Sequence, residues 1–351
     1  MNSKNNKMTK FKNYLPIIFS LSIFAFLLVA CNDDDDNSST GTEPQNYFAV
    51  ANRGSNTITY HNTENLSLLG TTSLPDGTQP TYVTYSSERD KIYTGGLENG
   101  MLYEINSETF VIERTLEVGI GAFHLSLNDT VDQLWVNNIN NAVKTTTVVD
   151  LNSFTVEQTI NLPSTISLST NAVQHDVIIN PQGNYAYVTI LDGMNTSHLV
   201  QYDTSDFSVV NTLQIGGDAH VGFFNNYLYS LSQNDGEIKQ HQLDDLSELV
   251  SVSFSGSHGV TASTNYLFAA DLPNGRLGVI DTQNNIISTL DTSFNATHNL
   301  AVNNSGDKLI VSYSGGAQTK IELFDITNGQ LTLNTTLESG TNPFGVAFIQ
   351  K

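Results

Sequence analysis

The feature that most constrains this fold is a repeat of about 40 residues that recurs seven times from residue 46 onward. Each unit contains the same short runs in the same order. One is "NYFAVAN", "DKIYTGG", "QLWVNNI", "YAYVTIL", "NYLYSLS", "NYLFAAD" and "KLIVSYS". The next goes from "NTITYHN" in the first unit to "KIELFDI" in the last, and the third from "LSLLGTTSL" to "LTLNTTLES". All are rich in Val, Ile, Thr, Tyr and Phe and bounded by Gly, Asn and Asp, which is strand chemistry joined by tight turns. Beyond residue 30, no stretch carries helical apolar spacing over four turns.

A fourth run completes each unit: "PTYVTYS", "AFHLSLN", "QHDVIIN", "AHVGFFN", "SHGVTAS" and "THNLAVN" follow in order. The seventh copy, "NPFGVAFI", lies at the C-terminus, whereas its three partner runs lie at the N-terminus, within 46–74. A ring that pairs the two chain ends accounts for this split and leaves no terminal strand edge unpaired. The sequence thus predicts an all-β, single-domain, seven-bladed β-propeller over 46–351, closed by pairing N-terminal strands with the C-terminal strand.

The first 45 residues differ in character. Lys4, Lys7, Lys10 and Lys12 precede the apolar run "YLPIIFSLSIFAFLLVAC", the pattern of a signal peptide. The run from Leu15 to Ala30 is short for a membrane span, which needs roughly 20 residues. An uncleaved anchor is the alternative. The ending "LVAC" resembles the bacterial lipobox, which implies a signal peptide over 1–30 and a lipid on Cys31. The acidic, polar segment that follows predicts a tether over 31–45. An acidic run in this place resembles the surface-export signal of Bacteroidetes lipoproteins, although a solvated spacer would look the same. Asn32 resembles the residue that directs lipoproteins to the outer membrane. The implied location is lipid-anchored to the outer membrane, on its periplasmic or cell-surface side.

Cys31 is the only cysteine, so a lipid there excludes disulfides, thiolate catalysis and cysteine-ligated metals. Loss of the four leader lysines leaves 10 Lys and Arg against 35 Asp and Glu, a formal charge of −25. Such a surface repels phosphate backbones, so nucleic acid is not an expected partner.

The pattern "PQGNYAYVTIL" or "NSGDKLIVSYS", followed by "VQYDTSDFSVVNTLQIGG" or "LGVIDTQNNIISTL", resembles the YVTN/YncE-like seven-bladed propellers across the whole repeat region. "FAVANRGSNTITYHN" is also similar to the related lactonase propellers. The likeness implies the fold; propellers carry many unrelated activities.

Four of the eight histidines occupy one slot: His175, His220, His258 and His298 each precede a Ser or Asn by five residues. In a propeller this run lines the central channel, so the four should form an arc at the channel mouth. Thr81, Phe123 and Phe344 occupy the slot in the other blades. His124 is one residue out of register, and strand alternation predicts that it points elsewhere unless a bulge intervenes. Three readings fit the arc: structural capping, a Zn or Cu site, or a small-molecule or anion pocket. Hub histidines resemble the copper ligands of the nitrous oxide reductase propeller domain and the hub ligands of periplasmic zinc-chaperone propellers. The chain lacks the cysteine-rich electron-transfer domain of the former. Asp192, His198 and Asp271 are candidate outer partners that would orient the imidazoles, or plain turn residues. His61 and His241 fall mid-strand away from the channel and are expected at the surface.

No G-x-S-x-G, H-E-x-x-H, Walker or G-x-G-x-x-G motif is present. A binding module for a metal ion, a small ligand or a protein partner on the rim loops is the reading that asks for nothing the sequence lacks. A lactonase-like hydrolase or isomerase at the channel mouth is the alternative and would lean on Arg53, otherwise expected to be a surface residue.

Overall fold

A computed structural model describes residues 46–351. The expected signal peptide, Cys31 and the expected tether lie outside the described residues. Twenty-eight strands, β1 to β28 in chain order, form seven four-stranded antiparallel sheets. The innermost strand of each sheet is β4 (Pro80–Ser86), β8 (Ala122–Asn128), β12 (Val173–Ile179), β16 (Ala219–Phe224), β20 (Ser257–Ala262), β24 (Thr297–Val302) or β28 (Pro343–Ile349). The last blade runs β28, β1 (Tyr47–Asn52), β2 (Thr57–Asn62), β3 (Leu68–Ser73). β28 pairs with β1 in the register Tyr47↔Ile349, Phe48↔Phe348, so the ring closes through the chain ends as the repeat requires.

Burial follows position within the blade. Strands such as β1, β9 (Gln133–Asn138) and β21 (Leu267–Asp271) are buried on both faces because a neighbouring blade packs on each side. Outer strands such as β7 (Ile112–Glu117) and β15 (Val209–Ile215) alternate half-buried and exposed residues, matching their period-two sequences. The core is accordingly divided into seven clusters, each spanning adjacent blades. The expectation for His61 and His241 fails here. Both sit on third strands, and a third strand in a propeller is still covered on both sides. His61 is buried and stacked on Phe48, with ring centroids 5.2 Å apart. His241 is fully buried, with Nε2 2.8 Å from Ser230 Oγ and Nδ1 3.1 Å from the Leu246 carbonyl oxygen.

The innermost strands share two departures from regular geometry. The residue entering the strand has positive φ in six of the seven: Gln79, Gly121, Asp218, Gly256, Ala296 and Asn342. The ladder to the second strand then shifts register two or three residues later in every blade except that of β16, as between Ala122 and Leu125 or between Gln174 and Val177. A β-bulge re-aims side chains that strict alternation would send to opposite faces. Two consecutive residues at the head of these strands therefore reach the channel. The strands also converge tightly there: a Cβ added at Gly259 would fall on the carbonyl oxygen of His298. Gly259→Ala is expected to destabilise the propeller by about 1–3 kcal/mol or more through this backbone clash, read as a lowered denaturation midpoint in urea.

Candidate functional site

The bulged strand heads converge on one layer of aromatic rings. Ring centroids step from His124 to His175 (5.1 Å), His175 to His220 (4.6 Å), His220 to His258 (3.9 Å) and His258 to His298 (4.6 Å). Phe344 stacks beside His298 at 4.2 Å and Phe123 lies 5.8 Å from His175, so these two slot occupants complete the layer. Thr81 instead turns its hydroxyl to the Phe123 carbonyl at 2.7 Å. The four in-register histidines are thus brought together. They are 3–8 % exposed, a layer buried within the channel instead of an arc open at its mouth.

His124 joins them, contrary to simple alternation, because the Ala122/Leu125 bulge turns it inward. The same shift brings in Asp176, which the sequence reading did not single out. Its only sequence signal is its place directly after His175, level with His124. Asp176 Oδ1 accepts from His124 Nδ1 at 2.6 Å, and Oδ2 lies 3.3 Å from His220 Nδ1. The backbone N–H groups of Val177 and Val221 donate to the two oxygens at 2.8 and 2.9 Å. Burial works to raise the Asp176 pKa, but these histidine contacts outweigh it and hold the carboxyl well below its usual range. Asp218, at the entry to β16, is the second carboxylate present, with Oδ1 3.9 Å from His175 Nε2.

The proposed outer partners lie elsewhere. Asp192 and His198 pair with each other at 3.5 Å, and Asp192 accepts the Ser169 N–H. Asp271 is fully buried and accepts from Asn274 and Arg276 at 2.8 and 2.9 Å, which anchors its own turn. Arg53 is not a plain surface residue: it is half-buried, with its guanidinium 5.4 Å from the Phe344 ring centre.

Hydrogen bonding divides the five histidines into two kinds. With Nδ1–H given to Asp176, His124 and His220 each keep a buried Nε2 lone pair, and neither Nε2 has a partner. His175 has Nε2 toward Asp218 and an unpartnered, buried Nδ1. Ring nitrogens of these three residues lie within 4.8 Å of one another. His298 differs because Asn299 fixes it. The Asn299 amide N–H₂ donates to the Phe344 carbonyl at 3.0 Å and to His298 Nδ1 at 2.8 Å. His298 then carries its proton on Nε2 and gives it to His258 Nε2, 3.3 Å away. The pair meets at its two Nε2 atoms, while His258 Nδ1 is buried without a partner. A second grouping, Asp218 with His220 and His258, also falls within 4.8 Å.

Below the layer is a cavity of ≈ 240 Å³ lined by Tyr82, His124, Asp176, His220 and Asn299, with Thr84, Ser126 and Val260 among its walls. The Tyr82 hydroxyl is buried without a hydrogen-bond partner. Burial, reinforced by Asp176 and opposed by Asn299, pushes its pKa well above the ordinary phenol value. Tyr82 is thus a neutral donor beside His124, whose ring centre is 3.9 Å away.

These features define a seven-bladed β-propeller with a histidine-filled hub. No protein-family model matches the sequence, and no curated protein does. Solved structures match in fold. A functionally unknown protein from Desulfotomaculum acetoxidans is 12 % identical with a TM-score of 0.70, over 86 % of this chain and 98 % of its own. A putative 6-phosphogluconolactonase from Bacteroides fragilis is 15 % identical with a TM-score of 0.70, over 88 % and 99 %. Hydrazine synthase from Kuenenia stuttgartiensis is 13 % identical with a TM-score of 0.63, over 80 % and 92 %. At these identities the likeness shows the fold alone.

Burial, reinforced by neighbouring rings, pushes His175, His258 and His298 well below the ordinary value of 6.5. An unfolded chain binds protons at these sites below pH 6.5, while the folded metal-free protein does not. Stability is therefore present at neutral pH and lost as pH falls. The urea midpoint of metal-free protein should drop between about pH 7.5 and pH 5.5, and the drop should shrink in His258→Gln.

Proposed function

We propose that this chain is a lipid-anchored propeller that binds one transition-metal ion, Zn²⁺ or Cu²⁺, among His124, His175 and His220. The observation that carries this reading is the pairing of each ring with a carboxylate on one side and with nothing on the other. Three neighbouring buried imidazoles each keep one unpartnered nitrogen, and their opposite nitrogens face Asp176 or Asp218. Carboxylates in this position fix the tautomer and raise the basicity of a metal-binding histidine. Leaving several buried ring nitrogens unsatisfied is costly without such an occupant.

The donor set fits the ion class. Neutral imidazole suits Zn²⁺ and Cu²⁺, and three such ligands with an open position are sufficient for either. Two ligands about 2.0–2.1 Å from a tetrahedral ion stand roughly 3.4 Å apart. Ring nitrogens of the three residues already lie within 4.8 Å of one another, so the side chains must draw together by up to about 1.4 Å to close on it. Asp176 remains ionised beside the ion and offsets part of its charge.

Elemental analysis of protein purified without a polyhistidine tag tests the reading. About one equivalent of metal is expected, lost in His220→Ala and retained in His298→Gln, with Asp176→Asn weakening affinity roughly 10- to 100-fold. Background metal in the parent protein, or metal unchanged in His220→Ala, would remove the proposal. Anchoring rests on "LVAC" ending at Cys31. Labelling with a palmitate analogue in a bacterial host should mark the full chain and fail with Cys31→Ala.

A further inference from the structure

The opposite side of the histidine layer holds a second cavity, ≈ 300 Å³, lined by Arg53, Leu97, Glu98, Ile120, Phe123 and Ile139, with Gly121 and Asn140 at its edge. Its volume lies at the small end of the roughly 300–1,000 Å³ common for small-molecule sites. Leu97, Ile120, Phe123 and Ile139 give it one apolar side, Glu98 and Asn140 a polar one, and Arg53 its one cationic group.

The state of Arg53 is unusual for this chain. The described residues contain ten Lys and Arg, and eight of them make ion pairs. Lys144 donates to the Thr170 carbonyl. Among the described residues, only the Arg53 guanidinium has neither an ion-pair nor a hydrogen-bond partner, although carboxylates there outnumber cations 30 to 10. Glu98 lines the same cavity but does not come within ion-pair distance. The backbone of Arg53 is fixed by its N–H to the Asn342 carbonyl at 2.9 Å, and Phe344 supports the guanidinium from one face. Five fork-arranged donors are thus held half-buried above an apolar floor, the arrangement that recognises a planar carboxylate.

We propose that this cavity binds a small organic monocarboxylate, its carboxylate on Arg53 and its apolar body against Ile120, Phe123 and Ile139. The chemistry follows from the parts: one guanidinium matches one carboxylate, and the flanking Glu98 disfavours a second negative charge on the ligand. The site is separated from the Asp176 cavity by the ring layer, so it does not depend on metal binding.

Calorimetric titration of the purified propeller with hexanoate, hexanamide and inorganic phosphate tests this. Hexanoate should bind saturably and hexanamide should not. Arg53→Gln should weaken hexanoate roughly 10- to 100-fold, the range for a charge-assisted contact, with an unchanged urea midpoint. Glu98→Gln should strengthen it, because a competing charge is removed. No saturable hexanoate binding, equal binding of hexanamide, or an Arg53→Gln affinity equal to the parent's overturns the proposal. Binding of phosphate in preference to hexanoate also overturns it, by reducing the site to a general anion contact.

Discussion

The hub is organised around the carboxylate of Asp176. An ionised group taken out of water costs several kcal/mol unless its lone pairs are occupied, and here four donors from three blades occupy them. His124 comes from β8, Val177 from β12, and His220 and Val221 from β16. The charge therefore sets the spacing and orientation of three innermost strands. It also selects the tautomers of two histidines and leaves the Nε2 of each without a partner. Much of the chemistry assigned to the hub follows from satisfying that one anion.

The same reasoning separates the proposed ligands from their neighbours within what looks like one equivalent set. His258 and His298 share the slot of His175 and His220, yet Asn299 and the Phe344 carbonyl commit the His298 proton to His258. A ring is defined as a donor by what its far nitrogen touches. That property belongs to the residue one place along the strand: Asp176 in one blade, Asn299 in another.

The fold was almost wholly legible in the sequence, because blades must repeat the same strand chemistry and a split blade has to close the ring. The clustering of His175, His220, His258 and His298 was legible too, since equivalent positions in a ring face one axis. His124 and Asp176 were not, because period-two alternation sends them away from the channel and a bulge leaves no mark in one blade's residues. Seen across blades, a partial mark exists: Tyr82, His124, Asp176 and Asn299 are polar or aromatic residues directly after the slot in four of the seven, against Val221, Gly259 and Gly345 in the others. His61 and His241 were misplaced for a different reason. Distance from the axis is a poor guide to exposure when every blade is sandwiched, and only the fourth strands meet solvent along one face.

Ring closure by β28 gives the chain a temporal asymmetry. β1, β2 and β3 precede the other blades along the chain but lack their innermost partner until β28, Pro343–Ile349, emerges. Until then β1 presents an open edge, and the layer lacks Phe344. The Phe344 carbonyl that fixes Asn299 is not yet in place. The propeller is thus assembled by its last strand, and a truncated or stalled chain forfeits the hub as a whole instead of one blade of it.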